Sequence, residues 1–215
     1  MFSTNAETHY KPQIRVGGKA GVTMSQMSFS PSVSQKMTNG FIVGATFTYA
    51  EEKLFGLRAE LCIEQRGWQE DYDELSHIFN YQRHLTYIQL PLLTQIQFGS
   101  AKFKGIITLG PEVAYMIGDN ASANFDYNNI GTLTDYPVIN RMNEQLTMEV
   151  ARKFDYGISA GLGMQWNMTR VHAVSLEGRF YYGLGNIFPD RRRDVFSASR
   201  GMSIQVTLGY NFRLK

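Results

Sequence analysis

The sequence predicts an all-β fold: an eight-stranded antiparallel up-and-down transmembrane β-barrel. Three observations lead there. Large apolar side chains recur at every second position in eight separate stretches, the period of a strand and not of a helix. The clearest of these, "YGISAGLGMQWNM" over residues 156–168, exceeds the roughly 5 or 6 residues of an ordinary strand and suits the roughly 9 to 11 that a tilted strand needs to cross a bilayer. The links between stretches alternate strictly between long and short, as in bacterial membrane barrels.

Each element follows from its own pattern. The first stretch sets Ile14, Val16, Val22 and Met24 on one face against Arg15, Gly17, Lys19 and Thr23 on the other. In the second, Phe41, Val43, Phe47 and Tyr49 alternate with Gly44, Thr46 and Thr48, and in the third Leu57, Leu61 and Ile63 oppose Arg58, Glu60, Cys62, Glu64 and Arg66. The fourth, "TYIQLPLLTQIQF", contains Pro91, which has no N–H and therefore predicts either a bulge or a missing ladder bond. The fifth has Ile107, Leu109, Val113, Tyr115 and Ile117 against Thr108, Gly110, Glu112 and Ala114. After the sixth, residues 156–168, the seventh sets Val174, Leu176, Phe180 and Tyr182 against Ser175, Glu177, Arg179 and Tyr181, and the eighth, "MSIQVTLGYNF", alternates Ile204, Val206, Leu208, Tyr210 and Phe212 with Gln205, Thr207 and Asn211.

The short links "EEKLF", "GSAKF" and "TRVH" suit tight hairpins, while residues 28–40, 67–82, 118–154 and 185–201 form long loops. This puts every long loop at one end of the meander and both termini at the other. Residues 1–12 are expected to be an N-terminal periplasmic tail and residues 13–215 the barrel, with the long loops extracellular.

An eight-stranded barrel can instead be soluble with an apolar interior, as in a lipocalin-like carrier, so the direction of each face has to be argued. The polar face carries Arg15, Lys19, Arg58, Glu60, Glu64, Arg66, Glu112, Glu177 and Arg179 together with many glycines. On a solvated exterior so much glycine has no purpose, because it weakens a strand. Lining a narrow lumen, it leaves room for a few long charged side chains to pair, as buried charges require. The opposite face is almost free of charge, as a lipid-facing surface must be, and is too bulky to fit inside. The charged residues are therefore expected to form a lumen network, and Glu112→Leu is expected to destabilise the barrel by about 3 kcal/mol or more if it leaves a buried arginine unpaired. Tyr49, Tyr115, Tyr156, Trp166, Tyr210 and Phe212 fall near strand ends, where aromatic girdles mark the bilayer boundary.

Composition excludes other classes. A net charge of +2 and the lack of a basic stripe interleaved with stacking aromatics argue against nucleic acid as a partner. The single Cys62 excludes an intramolecular disulfide and CxxC motifs, and it reads as a small lumen filler. The opening "MFSTNAETHYKPQ" lacks a signal peptide's apolar core, so either the chain is cytosolic or a signal has been removed, and the membrane-barrel reading takes the second.

These stretches also resemble a known family, the PorT-like outer-membrane β-barrel proteins of the Bacteroidetes. The resemblance runs through "IRVGGKAGV", "YIQLPLLTQIQF", "ITLGPEVAYMIG", "ISAGLGMQW", "SLEGRFYYGLGNI" and the closing "VTLGYNF". It implies a Gram-negative outer-membrane barrel with a cleaved signal. The family's namesake takes part in type IX secretion. Phe212 resembles the aromatic of a barrel-assembly signal, followed here by Arg213 to Lys215.

Catalytic patterns are not found. His9, His77, His84 and His172 occur without a Gly-x-Ser-x-Gly elbow, a His-x-x-x-His pair or triad spacing, which favours interfacial histidines over a lipid-modifying enzyme. No cofactor or metal is expected: Asp119, Asp126 and Asp135 lack EF-hand spacing and suit solvated turns. "DRRRD" offers Arg191, Arg192 and Arg193 for docking lipid phosphates or an acidic partner such as the "QEDYDE" loop of a neighbour, with a solvated charge run or an internal pairing between these loops as the other reading. The expected function is a non-enzymatic, monomeric surface scaffold with a plugged lumen. Its expected partners are outer-membrane lipids and a protein of a secretion or envelope complex.

Overall fold

The computed structural model describes residues 12–50, 54–133, 136, 142–191 and 193–214. Most of the expected N-terminal tail, including His9, therefore lies outside the described residues, as do Asp135 and Arg192. Eight long antiparallel strands are present: β1 (Gln13–Ser30), β3 (Thr38–Ala50), β4 (Phe55–Glu70), β5 (Tyr81–Gly99), β6 (Phe103–Ala123), β7 (Phe154–Asn167), β8 (His172–Gly183) and β9 (Ala198–Arg213). A two-residue strand, β2 (Gln35–Lys36), pairs with the end of β4. Sequential neighbours pair along the meander, β1 pairs with both β3 and β9, and β4 pairs with β5, so the sheet closes into a ring without a free edge.

The outer face is apolar. Leu162 is 68% exposed and Trp166 44%, whereas Arg58 and Glu177 point inward and are 6% and 5% exposed. A lipocalin-like carrier requires the reverse. Inward glycines make the enclosed charges fit: a Cβ on Gly161 would lie 2.6 Å from Thr108 Oγ1 and 2.9 Å from Glu177 Oε1. Pro91 resolves into the missing-bond alternative, since the β4–β5 ladder keeps one register but skips from Leu92 to Gln89. A bulge does occur nearby, between Thr86 and Tyr87 against β6.

The loop ends differ from expectation. Strands β1, β4, β5 and β6 continue well past the bilayer-length stretches, so the long links shorten to residues 31–37, 71–80, 124–153 and 184–197. The physical reason is that the alternation continues with its polarity inverted. Inward positions become apolar at Met27, Phe29, Trp68, Tyr81 and Leu85, while outward ones become polar at Gln26, Ser28, Gln69 and Gln82. Beyond the hydrocarbon the barrel is built like a water-soluble protein, with its own core inside.

Candidate functional site

The lumen is filled in three layers. In the first, Glu60 meets Lys19 Nζ at 2.5 Å and Arg179 at 2.7 and 2.9 Å, with Arg58 at 3.7 Å. Glu177 completes it, meeting Arg58 Nη1 at 2.6 Å and Arg179 Nη2 at 2.6 Å while accepting from the Thr108 hydroxyl at 3.0 Å. Strands β1, β4 and β8 contribute the charged side chains and β6 contributes Thr108, and each is buried. Such pairs offset the desolvation of their members only when hydrogen bonding is nearly complete, as it is for both carboxylates here.

The second layer centres on Arg66. Its guanidinium meets Glu64 at 2.8 Å, Asp155 at 3.4 Å and Glu112 at 3.5 Å, and donates to Gln89 Oε1 at 3.3 Å. It lies over the rings of both Tyr87 and Tyr181, with centroids at 4.6 and 4.2 Å. Neutral donors complete the carboxylates: Ser203 and Gln205 to Glu64, Ser159 to Glu112, and the Tyr181 hydroxyl to Asp155. The condition attached to Glu112→Leu is not met, because Arg66 keeps Glu64 and Asp155 when Glu112 is removed.

The third layer is an aromatic plug at the long-loop end. Trp68, wholly buried, contacts Phe29 edge-on at 5.5 Å and Phe188 at 6.3 Å, and Phe196 packs on Phe29 at 5.1 Å. A second knot joins Tyr72, Phe79, Phe125 and Tyr136. Arg83 ties loop to wall: it pairs with Asp119 at 2.5 and 2.8 Å and donates to the Met148 carbonyl at 2.8 Å. Asp119 is thus an ion-pair partner, and Asp126 stabilises its own turn by accepting from the Asn128 N–H and the Asn129 amide.

Eight of the nine predicted lumen charges meet in these layers, and Asp155 joins them. Arg15 stands apart near the turn-end mouth, where it donates to Gln13 Oε1 at 3.3 Å and borders a cavity of about 400 Å³ with Lys102, Lys104, Arg170 and Arg213. Its position near the start of β1 places it below the bilayer-spanning charge layers. Cys62 is buried beside Glu60, at 4.0 Å.

The girdle residues divide between the two ends. Tyr49, Trp166, Tyr210 and Phe212 ring the turn end, where Trp166 stacks on Phe103 at 6.2 Å and His172 Nδ1 meets the Tyr210 hydroxyl. Tyr115 and Tyr156 mark the loop end, with Phe154 stacked on Tyr156 at 6.3 Å. His84 and His172, at the starts of β5 and β8, lie at opposite ends and share no site.

In the "DRRRD" loop Arg191 and Arg193 are exposed. Asp190 instead pairs with Arg152 at 2.5 and 3.1 Å, and these bonds, with one from Asn186, hold its carboxyl down at about 2. Within "QEDYDE", Asp71 pairs with Lys36 and Glu70 accepts from Trp68 and Gln145.

Comparison with known proteins accords with this architecture. The outer membrane protein β-barrel domain family matches residues 5–189. No curated protein matches the chain in sequence. Among solved structures, the outer membrane protein OprG from Pseudomonas aeruginosa aligns with a TM-score of 0.53 at 9% identity, over 96% of this chain and 97% of that one. Ail, the attachment invasion locus protein of Yersinia pestis, aligns at 0.43 and 10% identity, over 93% of this chain and 99% of its own. The outer membrane enzyme PagL aligns at 0.41 and 9% identity, over 89% and 97%. With a closed ring, an apolar exterior and a matched family spanning most of its length, the chain belongs to the outer membrane protein β-barrel domain family.

Proposed function

We propose that this chain is a non-enzymatic surface scaffold, a single barrel whose long-loop end faces the outside and whose termini lie in the periplasm. The observation that carries the reading is the filled lumen. Two ionic layers and an aromatic plug occupy the barrel from its middle to its loop end, leaving binding to the surface that the plug makes rigid. Arg191 and Arg193 stand exposed on that surface, where they offer charge-assisted contacts to an acidic protein of a secretion or envelope complex. The sequence resemblance to PorT-like proteins of the Bacteroidetes supports the same assignment.

Photo-crosslinking from positions 191 and 193 in native outer membranes tests it. The expected result is a reproducible adduct with one envelope protein, formed again when the purified pair is mixed, together with unchanged phospholipid and lipid A on incubation with the barrel. Lipid cleavage that disappears in His84→Ala or His172→Ala would replace the scaffold with an enzyme.

A further inference from the structure

The charges enclosed in the two ionic layers do not balance. Four cations, Lys19, Arg58, Arg66 and Arg179, face five carboxylates, Glu60, Glu64, Glu112, Asp155 and Glu177. The imbalance is local: the first layer has three cations for two carboxylates, whereas in the second Arg66 alone faces three. Arg179 cannot make up the difference, since it is committed to Glu60 and Glu177. The other titratable neighbours, Tyr87, Tyr181 and Cys62, are uncharged at neutral pH. With the plug on one side and hydrocarbon around the wall, an excess carboxylate has neither water nor a cation of its own, and a group in that position takes up a proton. Unmet hydrogen-bonding atoms lie in the same layer: among the described residues Asp155 Oδ1 and Gln205 Oε1 accept from no donor, and the wholly buried Gln89 gives its amide N–H to no acceptor.

We propose that the Arg66 layer is a proton-binding site and that Glu112 is the residue that holds the proton, as a neutral carboxylic acid at physiological pH. Glu64 has the shortest contact with Arg66 and accepts from two further donors. Asp155 lies toward the plug and takes both Arg66 and the Tyr181 hydroxyl. Glu112 has the longest contact, on a nitrogen that Gln89 also uses, and its side chain is fully enclosed while that of Asp155 is 5% exposed. Ser159, at 2.6 Å from Glu112 Oε2, is a hydroxyl that can accept from the acid as readily as donate to the carboxylate.

The folded barrel then keeps a proton that the unfolded chain releases above the ordinary glutamate pKa of about 4.3. Because the native state binds the extra proton, this group makes stability fall as pH rises from there, by up to about tenfold in the folding constant per pH unit, until Glu112 itself ionises. Glu112→Gln imitates the neutral acid and removes that slope.

Wild type, Glu112→Gln and Asp155→Asn refolded in lipid vesicles test this by infrared spectroscopy and urea titration. The expected wild-type spectrum at pH 7 contains the C=O stretch of a protonated carboxyl, which Glu112→Gln loses and which in Asp155→Asn remains at low pH but disappears at a lower pH than in wild type, since one carboxylate of the excess is gone. Glu112→Gln is expected to fold with a constant within about threefold of wild type near pH 4, to exceed wild type by up to about tenfold per pH unit above that, and so to lose up to one proton of pH dependence between about pH 5 and 8. The wild-type spectrum decides the matter even where a variant fails to fold. No protonated band in wild type, a band that survives Glu112→Gln, or equal pH slopes in wild type and Glu112→Gln would each overturn the proposal.

Discussion

Glu60→Gln will lower the stability of the folded barrel by about 3–5 kcal/mol, the cost of leaving a buried charge uncompensated. Glu60 is the shared partner of Lys19, Arg58 and Arg179, and no other carboxylate lies within ion-pair distance of Lys19 among the described residues. A glutamine of the same shape keeps the packing but leaves three enclosed cations facing Glu177 alone. Reversible urea unfolding in vesicles measures the difference, and a loss below about 1 kcal/mol, the scale of an ordinary surface change, would contradict a paired lumen network. The contrast with Glu112→Gln is informative: the two carboxylates are equally buried, yet one balances an excess of positive charge and the other adds to an excess of negative.

Leu162→Arg is expected to cost about 2–4 kcal/mol in the same assay, the penalty for arginine near the bilayer midplane. Leu162 lies on the outer side of β7 between the Tyr156 and Trp166 girdle positions, and exposure to water alone would make arginine there nearly neutral. Ser122→Arg supplies the control. It is an exposed position on β6 in the extension beyond the hydrocarbon, and it should change stability by less than about 0.5 kcal/mol. Equal effects at the two positions would mean that Leu162 faces water.

Much of this architecture was legible in the alternation. Arg58, Glu60, Glu64 and Arg66 share a face because residues two apart on a strand must, and the length of β7 together with the alternating links led to a ring. The pairings were not legible. Arg58 meets Glu177, and Arg179 meets Glu60, across 119 residues of sequence, and only the closed register of eight strands decides which charges stand opposite. Asp155 was missed by one position: the apolar alternation begins at Tyr156, yet β7 starts at Phe154, which turns Asp155 to the same side as Ser159. The plug was missed because its polarity is inverted. Trp68 continues the inward series of Arg58 to Arg66, but a search for charge inside and grease outside ends where the hydrocarbon ends.

The two tryptophans test the central claim, that the apolar face meets lipid while the polar face and the plug are enclosed. Trp166 is on the outer wall at the turn-end girdle, and Trp68 is wholly buried in the plug. In vesicles of phospholipids brominated on their acyl chains, Trp68→Phe retains only Trp166 and Trp166→Phe retains only Trp68. Strong quenching of Trp166 with Trp68 left bright is the predicted result. Quenching of Trp68 with Trp166 untouched would contradict the account.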